Sequence, residues 1–177
     1  MTRIILSAFL AFYTLTGFSQ DKSIPTAIQV DSKSKLIEHA YAKGFQLYTC
    51  RQDPKDSSNY IWVFKSPWAM LYADSTYKKE IGNHHYNTSN NPVWGNSDGS
   101  EVTAMKLQQV NSPDSQSIPW LLLKATINQG TGILKSARFV QRIFTKGGKA
   151  PANAEKNQLG KTISIPYTAE YLFYSEN

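Results

Sequence analysis

Cysteine is almost missing from this sequence: Cys50 is the only one in 177 residues. A single thiol cannot form an internal disulfide, so the core alone must hold the fold. Charge is also sparse, at 18% of residues, with 19 basic against 13 acidic and a formal net charge of +6. The basic residues are scattered. Lys78-Lys79 and Lys146 with Lys149 are the tightest groups, and no run exceeds two. Nucleic-acid binding draws on a clustered basic patch, so no nucleic-acid partner is expected. A lightly basic, solvated surface fits better. With His39, His84 and His85 the only histidines, no metal site is expected.

Other absences exclude whole classes of chemistry. No Gly-x-Gly-x-x-Gly joins a strand to a helix, and no βαβ alternation is visible, which argues against a dinucleotide cofactor. Ser100 is not in a Gly-x-Ser-x-Gly elbow, so acyl transfer has no motif. Gly147-Gly148 is not followed by Lys-Ser and is expected to be a flexible turn rather than a phosphate loop. No repeat or low-complexity tract interrupts the chain, and no cofactor is implied.

One stretch is long, apolar and uncharged, and it stands at the start. Arg3 precedes Ile4 to Thr16, and Gly17-Phe18-Ser19 puts small residues where a signal peptidase reads. Residues 1–19 are therefore expected to be a signal peptide, cleaved before Gln20. The stretch is too short to stay as a membrane span, and no lipobox is possible with Cys50 the only cysteine. The expected product is exported to the periplasm or outside the cell, with no transmembrane segment. About 160 residues remain, enough for a single domain with its own core.

What the chain does have is aromatic and β-branched residues, in short bursts punctuated by Gly, Pro, Asn, Asp and Ser. This spacing predicts an all-β fold, an antiparallel β-barrel or β-sandwich of about eight strands. Residues 20–35 are polar and expected to be an extended lead-in. A first strand pair is expected over Leu36 to Arg51, interrupted at Gly44, although residues 36–41 also suit a short helix. Tyr60 to Lys65 is a strand, and Pro67 opens another over Trp68 to Ala73. Residues 79–86 suit a further strand. Trp94 to Val110 reads as a hairpin turned at Asn96-Ser97-Asp98-Gly99. Ile118 to Ile127 is apolar on both faces and should be central. Ile133 to Thr145 fits either a helix face or an alternating strand, its bounding glycines favouring β. Thr162 to Tyr174 carries aromatics on both faces, as a strand closing a barrel would.

Several blocks in register resemble a known family. They run from Gly44-Phe45-Gln46-Leu47-Tyr48-Thr49-Cys50 through Trp62-Val63-Phe64 with Pro67, then Gly82 and His84, Pro92 and Trp94, and Asp98-Gly99-Ser100. Ile118 to Leu123, Gly130 and Gly132, Gln141-Arg142, Gly147-Gly148 with Ala150-Pro151, and Ile165-Pro166-Tyr167 with Tyr171 and Phe173 complete them. The chain is similar to the secreted, uncharacterised bacterial and fungal family called domain of unknown function 3455. That resemblance implies export and a β-rich fold but no activity. It also implies a second cysteine near position 155, where this chain has Glu155, and a shorter segment between His84 and Trp94.

Candidate residues follow from chemistry. His84 and His85 are adjacent on a strand and so point to opposite faces, which keeps them from sharing a metal. One of them is expected to be a structural histidine, and His84 alternatively a general base. Asp98 is explained by its turn but could act with Ser100 and Glu101, and Asp98, Glu101 and Glu170 could supply a glycosidase's paired carboxylates. Arg142 in an apolar strand should pair with Asp98 or Glu170, or anchor an anionic ligand in a barrel mouth. Cys50 is expected to be a small buried apolar residue. His84, Trp94, Asp98, Arg142 and Tyr167 are the candidate ligand-binding set. The expected function is a non-enzymatic binding module for a small or carbohydrate-like ligand. A hydrolase or isomerase using His84 with Asp98 or Arg142, and a surface interaction protein, are the alternatives.

Overall fold

The computed structural model describes residues 23–176; the expected signal peptide lies outside the described residues. Eight strands follow one another: β1 Lys35–Gln52, β2 Tyr60–Tyr72, β3 Glu80–Tyr86, β4 Pro92–Asn96, β5 Glu101–Val110, β6 Trp120–Gln129, β7 Phe139–Gly147 and β8 Thr162–Ser175. Each pairs antiparallel with the next, and β8 returns to pair with β1, so the sheet closes into a barrel. Closure gives every strand a neighbour on both sides, although β2 meets β3 only over residues 68–72. Of the described helices, none is long and apolar enough to cross a membrane.

The strand number is the expected eight, but two strands run on through residues that read as breaks. The predicted break at Gly44 is absent, and β1 is one strand of 18 residues. Gly44 is needed there for a different reason. A Cβ at this position would lie 2.0 Å from the Trp68 carbonyl oxygen and 2.6 Å from the Ala69 Cβ, so only glycine lets β1 and β2 approach. Ser66-Pro67 likewise does not separate two strands. Pro67 sits within β2 near the register shift opposite Leu47 and Tyr48, since a bulge tolerates the missing N–H. The Ile133 to Thr145 segment divides. Ile133–Ser136 is a 3₁₀ turn, and the strand starts at Phe139.

Alternation sorts the side chains between two clusters. Ala40, Ala42, Trp94, Val102, Leu123, Val140, Tyr171 and Phe173 fill the interior. On the outer wall Trp120, Leu122 and Ile143 form a second cluster with Ile28, which is 0% exposed, so the lead-in is not a free tail but a strap across β6 and β7. Adjacent residues therefore serve opposite sides: Arg142 lines the interior, while Gln141 donates to the Ile28 carbonyl oxygen outside.

The two barrel ends differ. One is plugged by the 3₁₀ turn, whose Leu134 belongs to the interior core. The other, bounded by the β3–β4 turn and the β5–β6 connection, contains a cavity.

Candidate functional site

The cavity measures about 300 Å³ and is lined by residues of all eight strands. Its wall includes Tyr48, Phe64, Tyr86, Trp94, Leu121 and Tyr171, so it is largely aromatic and apolar. The polar groups on it are Gln46, His84, Arg142, Lys106 and Gln109. No aspartate or glutamate is among the lining residues.

His84 and Trp94 face each other across β3 and β4 in direct register. Their rings stack at 4.4 Å with an interplanar angle of 10°. The Nδ1 atom of His84 lies 2.8 Å from the Val93 carbonyl oxygen. A carbonyl only accepts, so Nδ1 carries the proton and Nε2 is the ring's acceptor. Burial drives the His84 pKa down to about 3; the Val93 bond opposes the shift and the Arg142 charge adds to it. The ring is thus neutral at physiological pH. His85 points the other way, with Nδ1 3.0 Å from the Asn83 Oδ1, as adjacent strand positions require.

Arg142 comes from β7, between Leu121 of β6 and Tyr171 of β8. The expected carboxylate partner is not there. Its Nε and Nη2 donate to the Pro119 carbonyl oxygen at 3.2 and 2.9 Å. Among the described residues the one close contact between a basic side chain and a carboxylate joins His39 Nε2 to Glu170, at 2.8 Å. Alternation explains this, because Glu170 faces outward beside Tyr171, which faces inward. The Arg142 charge is felt by the hydroxyls of Tyr48, Tyr86, Tyr167 and Tyr171, opposing the upward push of burial on each.

Tyr167 is buried but is not among the residues that line the cavity; its hydroxyl lies 3.4 Å from that of Tyr171. Tyr171 is near enough to the Trp94 indole and the Arg142 guanidinium to feel both, but the Trp94 N–H forms no hydrogen bond of normal geometry. Two of the three buried side-chain donors lacking a partner, among the described residues, belong to this cavity: Gln46 Nε2 and Trp94 Nε1. The third, Trp120 Nε1, is on the outer wall.

Asp98 is the predicted residue that does not join the others. It lies in the β4–β5 turn, at the plugged end. Its Oδ1 accepts from the Ser100 N–H at 2.9 Å and the Ser100 hydroxyl at 2.6 Å, and its Oδ2 from the Ile133 N–H at 2.7 Å. These bonds, the Ser100 hydroxyl first, hold its pKa below the usual carboxylate range. Asp98 thereby ties the plug to the turn, and Asp98 and Glu170 occupy different surfaces, so they do not form a glycosidase pair. Gly147-Gly148 is also held rather than free: Ile118 N–H donates to Gly147, and the Tyr48 hydroxyl to the Gly148 carbonyl oxygen at 2.8 Å.

Sequence reasoning missed Gln46, Tyr48 and Tyr171 as site residues. A usable signal existed for Gln46: among the inward positions Ala40, Ala42, Gly44, Gln46, Tyr48 and Cys50, it is the one with an amide. Among the described residues no group of three or more His, Cys, Asp or Glu side chains could hold a metal ion. The His84 to Trp94 segment, longer here than the resemblance implies, is a turn, with Asn87 Oδ1 accepting from the Ser89 and Asn91 N–H groups. It leaves the His84–Trp94 register intact.

A closed, eight-stranded antiparallel barrel with an aromatic cavity at one end defines the structural class. The chain belongs to the family described as protein of unknown function (DUF3455), whose family model matches residues 31–175. No curated protein and no solved structure matches it.

Proposed function

We propose that this protein is an exported, single-domain binding module that takes a small molecule into the barrel cavity. The observation that carries the reading is the pair of unpartnered buried donors, Gln46 Nε2 and Trp94 Nε1, on the wall of one cavity. A buried donor without a partner costs about 1–3 kcal/mol, and a ligand oxygen is what would remove that cost. A volume of about 300 Å³ is at the small end of ligand sites and suits a single ring.

The test is heteronuclear NMR with a panel of single-ring compounds and a monosaccharide. A ligand in the cavity shifts the Trp94 indole N–H. The Trp62 indole, which donates to Asn153 at 3.1 Å, stays unmoved. If no compound moves Trp94, the reading falls. Export is checked separately, by N-terminal sequencing of the secreted chain, which should begin at Gln20.

Catalysis by His84 with Arg142 is the second reading, favoured by their sharing this cavity. It is the weaker one, because a histidine with a pKa of about 3 is a poor general base at neutral pH. Surface interaction draws its support from the outer wall, where Phe45 and Trp68 pair across β1 and β2 and Trp68 is 47% exposed.

A further inference from the structure

The cavity wall carries the Arg142 charge and no carboxylate to balance it. Arg142 spends Nε and Nη2 on one carbonyl oxygen, which leaves the rest of a five-donor guanidinium to face other partners. Gln46 Nε2 and Trp94 Nε1 add two more donors, which lie near the Tyr167 and Tyr171 hydroxyls but make no hydrogen bond of normal geometry. On the other side of the balance, the wall has no carboxylate, and His84 is held neutral by burial. A permanently charged group near buried donors, with no counter-charge, is a site waiting for an anion.

The number of charges narrows the class. Arg142 is the one partly buried cation among the lining groups, since Lys106 is exposed and bonded to Gln109 at 3.0 Å. A dianion would leave excess charge in a low-dielectric interior, whereas a monoanion balances it. A neutral sugar accepts from these donors through its hydroxyl oxygens but leaves the Arg142 charge without a counter-charge. A carboxylate is planar and accepts two parallel N–H bonds from a guanidinium. The rest of the wall, Tyr48, Phe64, Tyr86, Trp94 and Leu121, asks for a flat apolar body.

We propose that the cavity takes a small organic monocarboxylate, its carboxylate received by Arg142 together with the Gln46 and Trp94 N–H groups and its ring lying on the aromatic wall. The inference rests on reading the cavity as a ligand site and adds the charge and shape of the ligand.

Isothermal titration calorimetry on the purified full chain, paired with the Trp94 indole signal, tests it. The probes are phenylacetate, the uncharged phenylacetamide, phenylphosphonate and methyl glucoside. Phenylacetate should bind and shift Trp94, with phenylacetamide at least about tenfold weaker. Arg142→Gln should weaken phenylacetate by a similar factor. Because that change also releases Pro119 and can impair folding, Trp94→Phe serves as the second variant. It keeps the ring, removes the N–H and should weaken phenylacetate several-fold. Equal binding of the acid and its amide, tighter binding of the phosphonate or the glucoside, or wild-type affinity in both variants would overturn the carboxylate inference while leaving the cavity a ligand site. If no probe, charged or neutral, moves Trp94, the cavity reading itself is lost.

Discussion

Gln46 and His84 show how single residues here hold function against stability. Gln46 is 2% exposed, and its Nε2 has no partner. Replacing it with leucine removes the unpartnered donor at similar volume, so Gln46→Leu should stabilise the ligand-free barrel by about 1 kcal/mol. Urea denaturation would register this as a higher midpoint at unchanged slope; a lower midpoint would mean that the amide is satisfied after all. His84 makes a pH-dependent contribution whose sign is fixed by burial. Its ordinary pKa is 6.5 and its folded value about 3, so the unfolded chain takes up a proton that the folded chain refuses. Stability is complete above pH 6.5 and is lost as the pH falls towards 3. At pH 5 the loss from this residue is about 2 kcal/mol. Stability measured at pH 7 and pH 5 should show that loss in the wild type and not in His84→Gln. The outward histidines, His39 and His85, are common to both proteins and cancel in the difference.

At the scale of elements, two connections are pinned by contacts whose meaning differs from their sequence signal. Gly132 is one of the glycines bounding the Ile133 segment, and a Cβ there would fall 2.0 Å from the Asp98 carboxyl carbon. Its smallness lets Asp98 reach the Ile133 N–H. Gly132→Ala should cost about 1–3 kcal/mol and Asp98→Ala about 1–2. The double variant should cost less than the sum, because alanine at 98 removes the group that the new methyl strikes. Thermal unfolding of the two single variants and the double one gives the coupling directly, and strict additivity would rule this account out. The connection between β7 and β8 is tied to β1 through Cys50. Its Sγ lies 3.9 Å from the Glu155 carbonyl oxygen, and its backbone bonds Gly160 and Lys161. Position 155 is where the family resemblance implies a second cysteine. Glu155→Cys should therefore form a disulfide with Cys50 on oxidation, closing a separation of 105 residues. The loop-entropy relation puts the gain at up to about 4–5 kcal/mol. A non-reducing mass shift and a rise in Tm that reductant abolishes would check it; two free thiols under oxidant would count against it.

The molecule as a whole explains which parts of it were legible. The all-β class, the Asn96 to Gly99 hairpin and β8 as the closing strand could be read from alternation and turn chemistry, because those signals are local. Gly44 and Ser66-Pro67 misled for the same reason: they are local punctuation used for a close approach and a bulge within unbroken strands. His84, Trp94, Arg142 and Tyr167 could be named as candidates by residue type. Their distribution among strands, the absence of a carboxylate beside Arg142 and the removal of Asp98 to the other end depend on barrel closure, which no local pattern contains.

The same limit hid the strap. Residues 24–30 look like a polar lead-in and precede the span matched by the family model, which begins at residue 31. Yet Ile28 is completely buried against Trp120, Leu122 and Ile143, with Ile24 and Val30 packed around them. Gln141 holds the Ile28 carbonyl oxygen from below, and the Tyr174 hydroxyl donates to the Gln141 Oε1 at 2.9 Å. Those contacts sit on the outer side of the strands that carry Arg142 and Tyr171 inside. Shortening Ile28 to alanine should cost about 2–4 kcal/mol through lost burial and the cavity left behind. Starting the chain at Asp31 should cost more, because it also bares Trp120 and Leu122 as an exposed apolar patch. The expected result is a lower urea midpoint for Ile28→Ala, and a still lower one with self-association on size-exclusion chromatography for the truncated chain. Retained stability and a monomeric profile after truncation would show instead that the barrel closes without its strap.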